Sequence, residues 1–229
     1  MSAGLPLLVT RADPGGATTV ERARQAGLDA RHLPLFAARP LDWDVPDPAA
    51  FDALLMTSAQ AARLGGPGLA ALADLHVHAV GEATADAARQ AGLTVATVGD
   101  SDARTLVGAM ASSSIGRLLW LCGRERTVFE AAGIAVTALP VYVVDVVPPP
   151  PGWDGLIAAP AVVMGHSARG AERIAELAGD RRKHLTLLAI SAAVAAAAGE
   201  GWSKKAVSEH PDDGAMLAEA HALCHKGAQ

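Results

Sequence analysis

Small hydroxyl residues stand where buried-strand patterns of this chain give way to Ala-rich helical patterns. Ser58 follows the apolar run LLMT, Ser167 follows VVMGH, and Ser191 follows LLAI. A hydroxyl at a helix start can cap a free backbone N–H. Free N–H groups and the helix dipole also attract anions, so each turn is either a simple cap or part of an anion site. The turns of this kind are Thr10–Arg11, Thr57–Ser58, Gly81–Thr84, His166–Ser167 and Ile190–Ser191.

Arginines accompany these turns along the chain. In a parallel α/β sheet the carboxyl ends of all strands lie on one edge, and ligands bind at that edge. A guanidinium binds a carboxylate with two parallel hydrogen bonds, which an ammonium cannot do. The turns and arginines together predict a site for a large ligand with several carboxylates. The arginines are Arg11, Arg63, Arg124, Arg126 and Arg169.

Tyr142 is the only tyrosine of the chain and lies in the extended run VTALPVYVVDVV. One interpretation is structural, because a tyrosine suits a half-buried strand position. The other is a phenol that faces a ligand cleft. The sequence pattern leaves both open.

Motifs of several common chemistries are missing from the sequence. There is no phosphate loop, no G-x-G-x-x-G after a strand, no H-E-x-x-H and no G-x-S-x-G. Cys122 and Cys224 are the only cysteines and are expected to be free thiols. We therefore expect neither a metal nor an organic cofactor.

A strand–turn–helix pattern occurs twice, first at Leu54–Leu64 and again at Val162–Ile174, and the flanking patterns also recur. The order A, B, A′, B′ in 229 residues predicts two similar parallel-sheet α/β domains joined by a two-stranded β connector. The connector segments share a Leu-Pro pair followed by an aromatic residue. A weak helical pattern covers Arg126–Ala131. The predicted boundaries are 1–38 plus 148–229 for domain 1, 42–136 for domain 2, and 33–41 with 137–147 for the connector.

Composition narrows the classes of partner. The chain is 51% hydrophobic and only 3% aromatic, so the core must consist of Ala, Leu and Val. Its net charge of −5 and lack of a basic cluster argue against nucleic-acid binding. No apolar run reaches the roughly 18–20 residues of a membrane span, and no signal peptide is evident. We expect a cytoplasmic monomer.

The order and spacing of several sequence pieces match those of a known family. The pieces are LLVTR (Leu7–Arg11), DALLMTSAQAA (Asp52–Ala62), AVGEATADAARQAG (Ala79–Gly92), LCGRER (Leu121–Arg126), LPVY (Leu139–Tyr142), VVMGHSARGA (Val162–Ala171) and AISAAVAAAAGEGW followed by HPDDGAMLAEA. In these pieces the chain resembles the uroporphyrinogen-III synthase family over nearly its whole length.

The resemblance implies the HemD-like fold and a cofactor-free reaction in the cleft between two domains. In that reaction hydroxymethylbilane, a linear tetrapyrrole with acetate and propionate groups on every ring, closes to uroporphyrinogen III with inversion of the last ring and loss of water. This is a step towards haem, sirohaem and cobalamin.

The resemblance also assigns roles. Tyr142 matches the family tyrosine proposed as the acid that helps the hydroxyl leave. One departure is the turn Ser191–Val194, SAAV, where many relatives have Gly-Pro and Thr. It favours the alternative of a non-catalytic tetrapyrrole-binding or regulatory protein of the same fold, whereas Tyr142, Thr84 and Arg11 favour the enzyme. A generic two-domain binder of the periplasmic type is a second alternative. The expected substrate-binding residues are Arg11, Thr57, Ser58, Gly81, Thr84, Arg124, Arg126, Ser167 and Ser191.

Overall fold

The structure is a computed structural model that describes residues 4–110 and 114–226. The chain divides into two compact units. One unit comprises the ranges 1–37 and 146–229, and the other comprises 38–145. Each unit is built around its own β-sheet.

The first unit contains a five-stranded sheet in the order β11-β10-β9-β1-β2, and all of its strand pairs are parallel. Apolar side chains that alternate along β1 and β9 face α1 and α8, where Val20, Ala23 and Met216 are buried. The elements of this unit are β1 (Leu7–Val9), α1 (Gly15–Gln25), β2 (Ala30–His32), α5 (Trp153–Leu156), β9 (Ala161–Gly165), α6 (Ala168–Ala178), a 3-10 segment (Gly179–His184), β10 (Leu185–Ala189), α7 (Ala192–Ala197), β11 (Lys204–Val207) and α8 (Asp213–Lys226).

The second unit contains most of a six-stranded sheet in the order β3-β8-β7-β4-β5-β6. The pairs β8–β7, β7–β4, β4–β5 and β5–β6 are parallel. Its elements are β3 (Phe36–Pro40), a 3-10 segment (Pro48–Ala50), β4 (Ala53–Met56), α2 (Ala59–Leu64), a second 3-10 segment (Pro67–Leu72), β5 (Val77–Val80), α3 (Glu82–Gln90), β6 (Val95–Gly99), α4 (Ala103–Ala109), β7 (Arg117–Gly123) and β8 (Ala135–Val146).

Alternation along the strands gives this second sheet two apolar faces. Leu54 and Met56 of β4 pack in one cluster with alanines of α2 and α3, whereas Ala53 and Leu55 pack in another with Leu106 of α4. Strands buried on both faces read as continuous apolar runs, which is the pattern that LLM and LLWLC show in the sequence. The expected fold class, α/β with two predominantly parallel sheets, is confirmed.

Two extended segments, β3 and β8, lie side by side in the six-stranded sheet. Val147 N donates to Leu35 O and Leu41 N donates to Val141 O, both at 3.0 Å, so these segments run antiparallel. The role of these segments as a connector and the exact domain boundaries remain predictions.

The segment Arg126–Ala131, expected to be helical, is irregular, and that prediction is wrong. The six residues are too few to offset the cost of helix nucleation by themselves. Phe129 of this segment packs against Trp120, so a tertiary contact determines its path.

One carboxylate joins the starts of β4 and β7. Asp52 accepts hydrogen bonds from Gly116 N (2.9 Å), Arg117 N (2.8 Å) and Arg117 Nη2 (2.7 Å). The Arg117 guanidinium and then the Gly116 N–H lower the pKa of Asp52 from 3.8 to about 2.

We predict that Asp52→Asn lowers the melting temperature at neutral pH. Because the folded pKa lies below the unfolded value, the ionised group stabilises the fold above about pH 4 and loses this effect as pH falls towards 2. Thermal unfolding of wild type and variant between pH 2 and 7 should show a difference that narrows on acidification. Asp86→Asn, which removes an exposed pair with Arg89 within one helix, is the control and should change little. A pH-independent difference would contradict this interpretation.

Candidate functional site

The strand order of the second unit leaves an opening between β4 and β7. From β4 the chain proceeds to β5 and β6 on one side, whereas β7 leads to β8 on the other. Ligands of open α/β sheets bind outside the carboxyl ends of the strands at such a switch point. Here Thr57 follows the carboxyl end of β4, and Gly123 is the last residue of β7.

A cavity of about 380 Å³ lies at this switch point. Four of the residues expected to act on a ligand line it, namely Thr57, Ser58, Arg126 and Tyr142. The structure thus brings together residues up to 85 positions apart in the chain because β4, β7 and β8 are neighbours. The remaining lining residues are Asp102, Ala103, Arg104, Trp120, Cys122, Gly123, Glu125, Thr127 and Phe129.

Tyr142 has a buried side chain whose hydroxyl lies against a glycine. A Cβ placed on Gly123 would lie 2.9 Å from Tyr142 Cζ and 3.1 Å from its Oη, so only glycine leaves room for the ring. Burial raises the pKa of Tyr142 above 10.0, and a hydrogen bond with Ser58 opposes that shift. The phenol therefore stays protonated at neutral pH.

Ser58 is the N-cap of α2, and its Oγ accepts a hydrogen bond from Gln60 N at 3.2 Å. Its extended backbone, with φ −154° and ψ 134°, is the usual conformation at this position. The capping interpretation of this serine is thus correct, but the cap also contacts Tyr142. One hydroxyl therefore links the start of a helix to the phenol.

Aromatic side chains form another part of the lining. Trp120 Nε1 donates to Thr57 Oγ1 at 3.2 Å, and the Trp120 and Phe129 rings lie 5.1 Å apart at an angle of 58°. Cys122, two residues further along β7, is buried, and burial raises the pKa of its thiol. At neutral pH this thiol is neutral.

Four charged residues line the cavity, two acidic and two basic. Asp102 caps α4 by accepting from Thr105 N at 2.8 Å, and this hydrogen bond lowers the pKa of the carboxyl group. Arg126 Nη1 donates to Arg124 O at 3.0 Å. With Glu125 and Arg104 also present, the formal charges of the lining cancel.

The other expected residues of this unit lie outside the cavity lining. Gly81 adopts a positive φ of 79° before α3. Thr84 is 5% exposed, and its backbone N–H donates to Gly81 O at 3.1 Å, so its side chain belongs to the interior. Arg124 is exposed, and its N–H donates to Tyr142 O at 2.9 Å. A role for these three in substrate binding stays a prediction.

In the first unit β1 and β9 form the corresponding switch point, since β1 leads to β2 and β9 leads to β10 and β11. Arg11 follows β1 and Ser167 follows β9. Ser167 caps α6 by accepting from Gly170 N at 3.0 Å, and Ser191 caps α7 by accepting from Val194 N at 3.4 Å. Both serines are therefore caps, and their binding roles stay predictions.

Asp213, at the start of α8, contacts several polar and charged side chains at this edge of the first sheet. Its Oδ1 accepts from Thr19 Oγ1 at 2.7 Å and lies 3.6 Å from Arg11 Nη1 and 3.5 Å from His166 Nε2. Burial lowers the pKa of His166. Burial would raise the pKa of Asp213, but its hydrogen-bond partners lower it on balance. The result is an ionised carboxylate that holds Arg11 at the edge of the sheet.

Several of these residues were missed at the sequence level, above all Trp120, Phe129, Asp102 and Asp213. A signal existed for Asp102, since an Asp directly before a helical pattern, here the one that begins at Ala103, suggests an N-cap. The alternation of Trp120 and Cys122 along β7 also placed them on one face. Asp213 gave no local signal of its partners, because Thr19 and Arg11 are distant in sequence. Phe129 gave none because it lies in an irregular segment, where no helix or strand period relates it to Trp120.

Among residues 4–110 and 114–226, no group of three or more His, Cys, Asp or Glu side chains could hold a metal ion. Within the same ranges, every helix is too short or too polar to cross a membrane.

The two sheets, each with polar turns at a switch point, define an α/β protein whose candidate site lies at the carboxyl ends of its strands. The model of the family "Uroporphyrinogen-III synthase HemD" matches residues 17–218, and the chain belongs to this family. The resemblance seen in the sequence is confirmed. Membership indicates porphyrin biosynthesis and an enzyme of the uroporphyrinogen-III synthase class.

Solved structures give the same fold. The uroporphyrinogen-III synthetase of Helicobacter pylori is similar with a TM-score of 0.65 and 18% identity, over 97% of this chain and 100% of that one. A mutant uroporphyrinogen III synthase of the extremely thermophilic bacterium Thermus thermophilus gives a TM-score of 0.52 and 19% identity, over 98% and 100%. The comparison with curated protein sequences gives no significant match.

We predict that the tyrosinate absorbance of the folded protein titrates above pH 10, because burial raises the pKa of Tyr142. Tyr142 is the only tyrosine, so the signal near 295 nm reports this residue alone. Ser58→Ala should raise the midpoint further, since it removes the hydrogen bond that favours the phenolate.

Ser167→Ala is the matched control, because it removes an N-cap serine that has no part in this contact. It should leave the tyrosine titration unchanged, and circular dichroism at each pH should show that the proteins stay folded. A wild-type midpoint at or below 10, or a downward shift in Ser58→Ala, would contradict the hydrogen-bond arrangement.

Proposed function

We propose that this chain is a uroporphyrinogen-III synthase that closes hydroxymethylbilane to uroporphyrinogen III with inversion of the last ring and loss of water. The observation that carries the proposal is the buried, protonated phenol of Tyr142 in a cavity at the switch point of the second unit. Family membership supports the substrate class.

Tyr142 is proposed as the acid that helps the hydroxyl group of the substrate to leave. The carbon–oxygen bond breaks, the oxygen keeps the electron pair, and one proton from the phenol completes the water. The pyrrole nitrogen then shares its lone pair with the methylene carbon, which gives an azafulvenium-type cation. The cationic methylene carbon then bonds to the α carbon of the last ring that already carries the methylene bridge. The bond from that carbon to the bridge breaks, the bridge re-forms its bond at the other α carbon of the same ring, and the proton lost from this second carbon restores the phenol.

Ser58 prepares the phenol for this step. Its Oγ accepts from Gln60 N, so its own O–H is available to donate to Tyr142 Oη. A phenol oxygen that accepts this bond has its proton free for another partner. The pair therefore aims a proton donor into the cavity.

Substrate carboxylates would be held by arginines and by backbone N–H groups at helix starts. Arg126 lines the cavity of the second unit, and Arg11 stands at the sheet edge of the first. The expected roles of Thr57, Gly81, Thr84, Arg124, Ser167 and Ser191 belong to this proposal as well. Their main effect would be to restrict a flexible bilane so that the last ring closes inverted, which is catalysis by positioning.

We predict that Tyr142→Phe lowers the turnover number by about 10²–10⁴-fold, the usual contribution of a general acid. The ring still packs against Gly123, so the melting temperature should change little. The measurement is the rate of isomer III formation from hydroxymethylbilane, separated from the isomer I that forms spontaneously.

Trp43→Phe is the control, because it also removes one polar hydrogen from an aromatic side chain but lies outside the lining of the cavity. It should retain activity. If wild type binds hydroxymethylbilane but yields only isomer I, the chain is a non-catalytic tetrapyrrole-binding protein instead. If the Tyr142→Phe variant formed isomer III at the wild-type rate, Tyr142 would not be the acid of this reaction.

A further inference from the structure

We propose that Trp120 and Phe129 stabilise the cation that forms when the bilane loses its hydroxyl group, and that Trp120 is a catalytic residue that contacts the terminal pyrrole ring. This inference rests on the proposed function. It specifies which ring of the substrate enters the cavity, and it names the side chains that stabilise the positive charge of that ring.

Aromatic side chains are concentrated at this cavity. The chain has only three Phe, four Trp and one Tyr. One of each lines the cavity, namely Phe129, Trp120 and Tyr142. Trp120 and Tyr142 also belong to the buried clusters of this unit, so packing fixes the rings that line the cavity.

The indole of Trp120 is held in one orientation. It is 5% exposed, its Nε1 donates to Thr57 Oγ1 at 3.2 Å, and Phe129 packs at a tilt 5.1 Å from it. The face of an aromatic ring is electron-rich and attracts a cation, and Trp is the most effective residue in this respect. A fixed indole needs no rearrangement when the charge develops.

The charged side chains that line the cavity do not oppose the formation of a cation on the substrate. Asp102 and Glu125 offset Arg104 and Arg126 in formal charge. A site that served only to bind the polyanionic bilane would carry an excess of positive charge, which would oppose a developing cation. The balance seen here suits a ring that passes from neutral to positive.

Size indicates how much of the substrate enters. The cavity of about 380 Å³ lies near the lower end of the roughly 300–1,000 Å³ that binds drug-sized ligands. A bilane with four pyrrole rings and eight carboxylates exceeds that size, so the cavity accepts only part of it. The part that must be near Tyr142 is the terminal ring with its hydroxymethyl group, because the phenol gives its proton there.

The first experiment compares side chains that differ in aromatic character. Trp120→Leu and Phe129→Leu should slow the single-turnover rate of isomer III formation, by about ten- to thirtyfold for Trp120→Leu, since a desolvated cation–π contact contributes about 2 kcal/mol. Trp120→Phe keeps an aromatic face, so its single-turnover rate should fall less than that of Trp120→Leu. Phe129 is only half-buried in an irregular segment, so Phe129→Leu remains informative if Trp120→Leu fails to fold.

The second experiment lowers the electron density of the indole rings and leaves their shape nearly constant. Wild type and Trp120→Phe are produced with tryptophan that carries zero, one, two or three fluorines, which withdraw electrons from the ring face. The single-turnover rate of wild type should fall stepwise with each fluorine while KM stays constant, because the reacting pyrrole ring is still uncharged when the substrate binds. In Trp120→Phe, fluorination of Trp43, Trp153 and Trp202 should leave the rate unchanged.

These outcomes separate the two proposals. If wild type forms no isomer III, the proposed function fails. If wild type is active and its rate is independent of fluorination, the synthase stands and the role of Trp120 is refuted. Equal fluorine dependence in wild type and Trp120→Phe would also refute it, because the effect would then come from another tryptophan.

Discussion

The opposite directions in which the chain leaves β4 and β7 constrain the whole candidate site. Neighbouring parallel strands are normally linked by crossovers that follow one hand, and helices then cover the sheet. Where two neighbours send their connections to opposite sides, no connection closes the gap at their carboxyl ends. In the second unit this gap holds Thr57, Ser58 and Gly123, and β8 adds Tyr142 beside them. The first unit has the same arrangement at β1 and β9.

The distribution of side-chain size follows from this constraint. Alanines of α2 and α3 lie fully or almost fully buried against β4 and β5, so the helices approach closely and the core needs few large residues. Three of the eight aromatic rings of the chain, those of Trp120, Phe129 and Tyr142, line the cavity at this opening. Polar groups there are fixed in pairs, as in Trp120 with Thr57 and Tyr142 with Ser58. The polar groups proposed to act on the substrate are thus held by neighbouring side chains.

The sequence predicted what depends on local patterns. Strand-to-helix turns identified Ser58, Ser167 and Ser191 as helix starts, and the repeat predicted two parallel sheets. It did not predict partners that only tertiary packing brings together. Thr19 and Asp213 form a hydrogen bond across 194 positions, and Phe129 reaches Trp120 from a segment whose short helical pattern packing overrides. Thr84 shows the same limit, since a helix-start pattern does not reveal that its side chain faces the interior.

We propose that the terminal ring of the bilane reacts in the cavity of the second unit. A crystal structure tests this with a bilane that carries a methyl group in place of the terminal hydroxymethyl group, so that no water can leave. We predict density for one pyrrole ring against Trp120, with its methyl carbon within about 4 Å of Tyr142 Oη, a near-attack separation. An empty cavity with the terminal ring bound elsewhere on the protein would contradict it.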